Sequence, residues 1–266
     1  MTTSRSEDPE AKLERTATPH LSFSRVNRYL TCPEQYRLYY LENLRPKVES
    51  ANLAFGALIH VALAEFFRQG QDPADSFIRE WDNLKTVELD YGKRESWESL
   101  REKGEKLLRR FLLTEAPRIK QVMGIERKFE VAVTTLDEPF IGIVDLDTVL
   151  DGKRTIVDFK TASTGYEDHE VALSDQLTAY FLGEPEAEQV AYCVLVKTKE
   201  PRIEWHLSER NPAHLAEFVE KVRIIAADIR AGRFYKRPGK HCAWCDFLPV
   251  CTGEEKEARE ALVKIT

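Results

Sequence analysis

The chain has 266 residues, of which 42% are hydrophobic and 32% charged, with a formal net charge of -6 at pH 7. This composition excludes an intrinsically disordered chain, and the length suffices for one sizeable core, alone or with a helical subdomain. No apolar run approaches membrane-spanning length and no N-terminal stretch has the basic-then-apolar order of a signal peptide, so a cytoplasmic protein with no membrane partner is expected. In that reducing compartment the 5 cysteines are not expected to form disulfides.

Residues 1–19 are rich in Thr, Ser, Glu and Pro and have little to bury, which predicts a disordered tail. From Leu21 the pattern predicts two short helices broken at Cys32-Pro33, then a mostly buried helix from Leu53 to Arg68 with one polar intruder, His60. Two charged amphipathic helices follow, about 74–91 and 96–121, which read as an inserted helical lid or subdomain over about 70–121. The period then changes. Strands are expected at 125–135, 139–150 and 154–161, the last two joined at Asp151-Gly152. A helix at 169–183, strands at 189–197 and 202–207, and a helix opened by Asn211-Pro212 complete the regular part, with a terminal helix over 254–265. The fold class is α/β (α+β): a central mixed sheet flanked by helices, in a single domain over 20–266.

The net negative charge does not advertise a nucleic-acid binder, although a small groove escapes such a total. Basic runs occur at Arg101, Lys103, Lys106, Arg109 and Arg110, at Arg118, Lys120, Arg127 and Lys128, and at Arg233, Lys236, Arg237 and Lys240. Each reads equally as a solvated face among glutamates or as a phosphate contact.

In TIVDFK, Asp158 and Lys160 lie two apart on a strand and share a face with Ile156, while Val157 and Phe159 point the other way. FIGIVDLD brings Asp145, with Asp147 on the same face, into the neighbouring strand. Two carboxylates on adjacent strands suit a hard cation such as Mg²⁺ or Mn²⁺, and a nearby lysine can orient metal-activated water and counter charge on a phosphate. Taken alone, Asp-x-Lys reads better as a solvated salt bridge. In FGALIH, Gly56 and His60 share a helix face, as do Gln176 and Tyr180 in DQLTAY. Singly, these read as a core histidine and an ordinary amphipathic helix.

Their order along the chain resembles the RecB-type PD-(D/E)xK nucleases, including nuclease domains of bacterial recombination machines and the iron–sulfur exonucleases of CRISPR adaptation. The likeness runs from Ser-x-Ser at Ser22 through Cys32-Pro33, Gly56-x-x-x-His60, Gly142-x-x-Asp145, Asp158-x-Lys160 and Gln176-x-x-x-Tyr180 to Cys251. It implies a restriction-endonuclease-like sheet, with His60, Asp145, Asp158 and the Phe159 carbonyl as metal ligands. Lys160 would be the catalytic lysine, with Gln176 and Tyr180 in support and Glu126 near the site. Two departures are the missing Pro before Asp145 and Asp in place of Glu at 158.

Cys242, Cys245 and Cys251 have the spacing of a metal or cluster site, with Cys32 far away in sequence. Zn²⁺ and an Fe–S cluster both accept four thiolates, and zinc ribbons usually supply two Cys-x2-Cys pairs. The resemblance implies a 4Fe–4S cluster on these four, stapling the chain's ends in a C-terminal Fe–S region. Cys193, in an apolar strand, reads as a small buried hydrophobe. Lys236, Arg237, Lys240 and Trp244 could grip single-stranded DNA, or Trp244 could pack against the cluster. The expected activity is a Mg/Mn-dependent deoxyribonuclease, an exonuclease at DNA ends with single-stranded character. The competing readings are a DNA-binding module without catalysis and an adaptor for a helicase or integrase.

Overall fold

The computed structural model describes residues 19–265, so the expected tail falls outside the described residues except for Pro19. Helix α1 (Phe23–Thr31) starts where the Ser22 side chain accepts the Arg25 N–H, and Pro33 opens the next helix, α2 (Pro33–Tyr36). A π-type turn over Arg37–Leu41 follows, then the short strands β1 (Leu44–Pro46) and β2 (Glu49–Ser50). α3 (Ala51–Gln69) ends at Gly70, whose φ of 69° suits glycine. Next come α4 (Pro73–Asn83), β3 (Leu89–Asp90) and α5 (Trp97–Thr114). The last two helices are shorter than expected. Pro117 cannot extend α5, and a single turn at Ala116–Arg118 passes the chain into β4 (Ile119–Val131).

β5 (Phe140–Leu150) and β6 (Lys153–Ala162) form the expected hairpin. The single helix expected over 169–183 is two, α6 (Asp168–Ala172) and α7 (Asp175–Gly183), because the Ser174 side chain caps the Leu177 N–H and restarts the helix. β7 (Gln189–Val196), β8 (Arg202–Ser208) and α8 (Pro212–Arg230), capped by Asn211, stand as expected. At the C-terminus α9 (Leu248–Thr252) and α10 (Glu255–Ala261) precede β9 (Leu262–Lys264). The terminal helix thus gives way to a strand, which pairs antiparallel with β1.

The main sheet has the order β4-β5-β6-β7-β8, parallel only between β6 and β7. Its two faces are buried by different helices. On β7, Val190, Tyr192, Val194 and Val196 pack toward α1, α7 and α8, while Ala191, Cys193 and Leu195 pack toward α3, α4 and α5. The helices of 51–114 therefore form a layer on the sheet, sharing its core, with no separate core of their own. A third small cluster of Leu38, Phe247 and Leu262 joins the two ends of the chain. Contrary to the sequence reading, α3 has the length and mean hydropathy of a membrane span. It spends that apolar surface inside the protein, burying eight side chains including Phe55, Leu58, Ile59 and Leu63.

The α3–α5 layer is tightly filled at Phe77, which is fully buried against Phe55 and Trp81. A Cβ on Gly104 of α5 would stand 2.2 Å from the Phe77 ring. Alanine there would gain about 1 kcal/mol of helix propensity, against roughly 1–3 kcal/mol for overpacking. Gly104→Ala is expected to lower stability, by up to about 2 kcal/mol. Urea denaturation should show a lower midpoint, and an unchanged or raised midpoint would mean that Phe77 can yield.

Candidate active site

The β5–β6 ladder pairs Leu146–Leu150 with Lys153–Val157 and then opens. Beyond the opening stand Asp145 on β5 and Asp158 on β6. One oxygen of Asp145, Oδ2, replaces the missing strand partner by accepting the Phe159 N–H at 2.8 Å. The side-chain alternation of β5 slips at this point: Val144 packs with the α1, α7 and α8 layer, yet Leu146 packs with the α3–α5 layer. Opposite, on β4, Glu126 has a φ of 45°, a strained value for a non-glycine residue.

The slip corrects one expectation. Asp145 and Asp147 do not serve a common pocket. Asp147 is 2% exposed and held by Arg127 at 2.7 Å and Arg154 at 2.8 Å, and both arginines also bind Glu184 at the C-terminus of α7. It anchors that helix. Asp145 instead meets His60 Nδ1 on α3 at 3.3 Å. α3 comes this close because Gly56 leaves room for β6, where an added Cβ would lie 3.2 Å from Thr161 Oγ1.

Asp158 is 2% exposed. Its Oδ1 accepts hydrogen bonds from Tyr180 Oη at 2.5 Å and Gln176 Nε2 at 2.9 Å. Gln176 also donates to Tyr180, and its own carbonyl accepts from Tyr192, which bonds Ser174 at 2.6 Å. Lys160 Nζ pairs with the other, buried oxygen, Asp158 Oδ2, at 2.7 Å. The structure thus gathers His60, Asp145, Asp158, Phe159, Lys160, Gln176 and Tyr180. Glu126 is nearby but bound to Arg68 of α3 at 2.6 Å. Ser174 and Tyr192 were missed by sequence reasoning. The signals were a serine before an apolar helical run and a hydroxyl inside a buried strand.

The two carboxylates are electrostatically unequal. Burial opposes ionisation of Asp145, but the His60 charge and hydrogen bond, Lys160 and the Phe159 N–H hold its carboxyl below the usual range. Burial and the Asp145 charge push Asp158 up, with Lys160 and Tyr180 only partly offsetting them. Burial likewise works against a charged His60, yet Asp145 and Asp158 outweigh it and raise its pKa to about 9. Asp145 is therefore the anion, His60 the cation and Asp158 the later to ionise. With His60 and Lys160 supplying the positive charge, no group of three or more His, Cys, Asp or Glu side chains forms a ready coordination shell among the described residues.

That statement includes the cysteines. Cys32 is buried, and Cys242, Cys245 and Cys251 are half-buried. Burial raises the Cys245 and Cys251 thiols, with the Asp246 charge adding to the first, the Cys245 charge to the second and the Cys32 charge to both. Cys242 is joined to Cys245 through a single turn in which Cys245 N–H donates to its carbonyl at 3.2 Å. Cys193 is fully buried in the sheet core, as expected. Trp244 is 80% exposed. Lys236 and Arg237 donate to the carbonyls of Cys251 and Leu30. The run at 101–110 is largely a solvated face: Arg101 pairs with Asp82, Lys106 with Glu102 and Arg109 with Glu105.

A solved structure described as "Putative exonuclease" from Eubacterium rectale has the same fold, with a TM-score of 0.54 at 15% identity over 92% of each chain. A structure of SSO0001 aligns over 91% of this chain and 94% of that one at 14% identity, but its TM-score of 0.38 carries no argument. No curated protein matches the sequence. Residues 20–252, which include every side chain of the site, match the PD-(D/E)XK nuclease superfamily, and the chain belongs to that family.

Proposed function

We propose that the chain is a divalent-metal-dependent deoxyribonuclease, an exonuclease working on DNA ends with single-stranded character, in recombination, repair or CRISPR adaptation. The observation that carries this reading is the meeting of Asp145, Asp158, His60 and Lys160 where β5 and β6 part. Asp145, Asp158, His60 and the Phe159 carbonyl are the donors that would hold Mg²⁺ or Mn²⁺, the imidazole favouring Mn²⁺. The fit is supported by Asp158 Oδ2, which Lys160 contacts at 2.7 Å and whose second lone pair is left for a cation. When bound, the ion supplies Lewis acidity toward the phosphate and a more acidic attacking water.

The chain's own groups do the rest. Gln176 and Tyr180 fix Asp158 by its Oδ1, so Oδ2 stays on the Lys160 side. Lys160, whose side chain is 27% exposed, can orient a water and counter charge building on the phosphate. Lys160→Ala should lower Mn²⁺-supported cleavage of single-stranded DNA by about 10²–10³-fold and leave thermal unfolding little changed. Equal cleavage by variant and wild type would refute the assignment.

His60 must lose its proton before it can be a ligand. Because metal-free His60 keeps that proton up to about pH 9, Mn²⁺ affinity should rise with pH toward that value and level off above it. Titration followed by electron paramagnetic resonance tests this, and His60→Ala should bind weakly with a flatter profile. An identical pH dependence in the variant would count against His60 as a ligand.

The second part of the proposal is that Cys32, Cys242, Cys245 and Cys251 hold a 4Fe–4S cluster, with zinc as the alternative metal. It is supported by Cys32 standing near enough to Cys245 and Cys251, from the other end of the chain, for its charge to raise both thiols. Anaerobic purification should give a brown protein containing iron and acid-labile sulfide. Cys32→Ala should lose both, unfold at lower temperature and cleave more slowly. A colourless, iron-free wild type carrying zinc would replace the cluster with that ion.

A further inference from the structure

We propose that Arg25 and Arg28 of α1, with Tyr39, Tyr40 and Arg45, form the track that receives a single strand of nucleic acid at the catalytic pocket, a proposal that rests on the nuclease reading above. The start of α1 lies beside that pocket. Ser22, Phe23 and Ser24 line a cavity with Gly142 of β5 and with Gln176 and Tyr180, the two side chains that fix Asp158. Helical rise then places Arg25 about 4.5 Å and Arg28 about 9 Å along the axis from Ser22. A strand running from the site along α1 would meet them in turn.

Their surroundings differ from those of the other surface arginines. Arg101, Arg109 and Arg118 are neutralised by Asp82, Glu105 and Asp151. Arg25 and Arg28 lie instead on tyrosine rings. Arg25 is 4.5 Å from the Tyr40 centroid and hydrogen-bonds Tyr36; Arg28 and Arg45 are 3.6 and 3.3 Å from the Tyr39 centroid. The Nε atoms of Arg25 and Arg28 are buried without hydrogen bonds, and the Arg28 charge acts on Asp246 nearby.

A guanidinium lying on a ring uses its face for that contact and keeps edge donors for phosphate oxygens. The tyrosine faces are used in holding the guanidiniums in place, so that the arginines present fixed charge to a phosphate backbone.

The test uses the full chain in a Lys160→Ala background, so that DNA survives. Binding of a fluorescent oligothymidine is followed by anisotropy across a potassium chloride series. Replacing both Arg25 and Arg28 by Ala should weaken binding at least tenfold and reduce the salt slope by about 1.4, the share of two phosphate contacts on a single strand. Replacing both by Lys should keep most of the slope while losing affinity. A parent that binds, with a double-Ala variant of equal affinity and slope, overturns the track but not the nuclease. Selective loss of binding to an acidic peptide would also overturn it, pointing to a protein partner. A wild type that neither binds nor cleaves nucleic acid sinks the nuclease reading itself. Should the double-Ala variant fail to fold, photocross-linking of iodouracil-substituted DNA to the parent still decides. Adducts within residues 25–45 are expected, and adducts exclusively elsewhere would refute the proposal.

Discussion

Two carboxylates, Asp145 and Asp158, have to sit close together inside a sheet, where burial opposes the charge on both and the Asp145 charge makes Asp158 harder still to ionise. Left uncompensated, such charge in a poorly hydrated place costs several kcal/mol. The backbone answers first. By parting from β6, β5 frees the Phe159 N–H to serve the Asp145 carboxylate, so a donor that would have belonged to the ladder is spent on the site. His60 then arrives on one helix layer, Gln176 and Tyr180 arrive on the other, and Lys160 comes from β6 itself. The site is therefore made at the one place where both layers reach the same gap in the sheet.

This requirement reaches outward through contacts that look structural. α7 must deliver Gln176 and Tyr180 in fixed positions, and it is tied at its C-terminus by Glu184 to the Arg127–Asp147–Arg154 group. Its start is tied by Ser174 to Tyr192, which in turn receives Gln176. α3 is set against β6 by the absence of a side chain at Gly56 and by Phe159, whose ring stacks on Phe67 and meets Phe111 edge-on. Breaking any of these shifts a hydrogen-bond partner of a buried carboxylate, so distant changes act on the site through position.

Much of this was legible in the sequence because it depends on period and spacing. Asp158-x-Lys160 on a strand, Gly56 and His60 four apart on a helix, and Gln176 and Tyr180 four apart on another all follow from fixed geometry. What was not legible depends on departures from that geometry. Strict alternation puts Asp145 and Asp147 on one face; the slip between Val144 and Leu146 turns them to different partners, and nothing in FIGIVDLD marks it. β1 and β9 are three residues each and exist only as a pair drawn from opposite ends of the chain, so neither segment carries a pattern of its own. The break before α7 was readable, since Ser174 is an ordinary helix cap, but the apolar period across 169–183 masked it.

The joining of the chain's ends bears on what a cysteine-held group would do there. β1 pairs with β9, Leu38, Phe247 and Leu262 share a core, Tyr29 Oη donates to the Arg233 carbonyl at 2.7 Å, and the Lys47 N–H donates to the Ala261 carbonyl at 2.8 Å. Loop-closure entropy is lost mainly once, and grows only slowly with loop length. With the ends already brought together, a further link from Cys32 to Cys242, Cys245 and Cys251 adds little by closing the large loop again. Its stabilising effect would fall on the stretch between α8 and α10, which has only a single turn at Lys240–Trp244 and the five-residue α9 to order it. Since the Tyr235 carbonyl of that stretch accepts the Glu34 N–H, order there passes into α2 and the tyrosines beyond it, on the flank of α1, whose start shares a cavity with Gln176 and Tyr180.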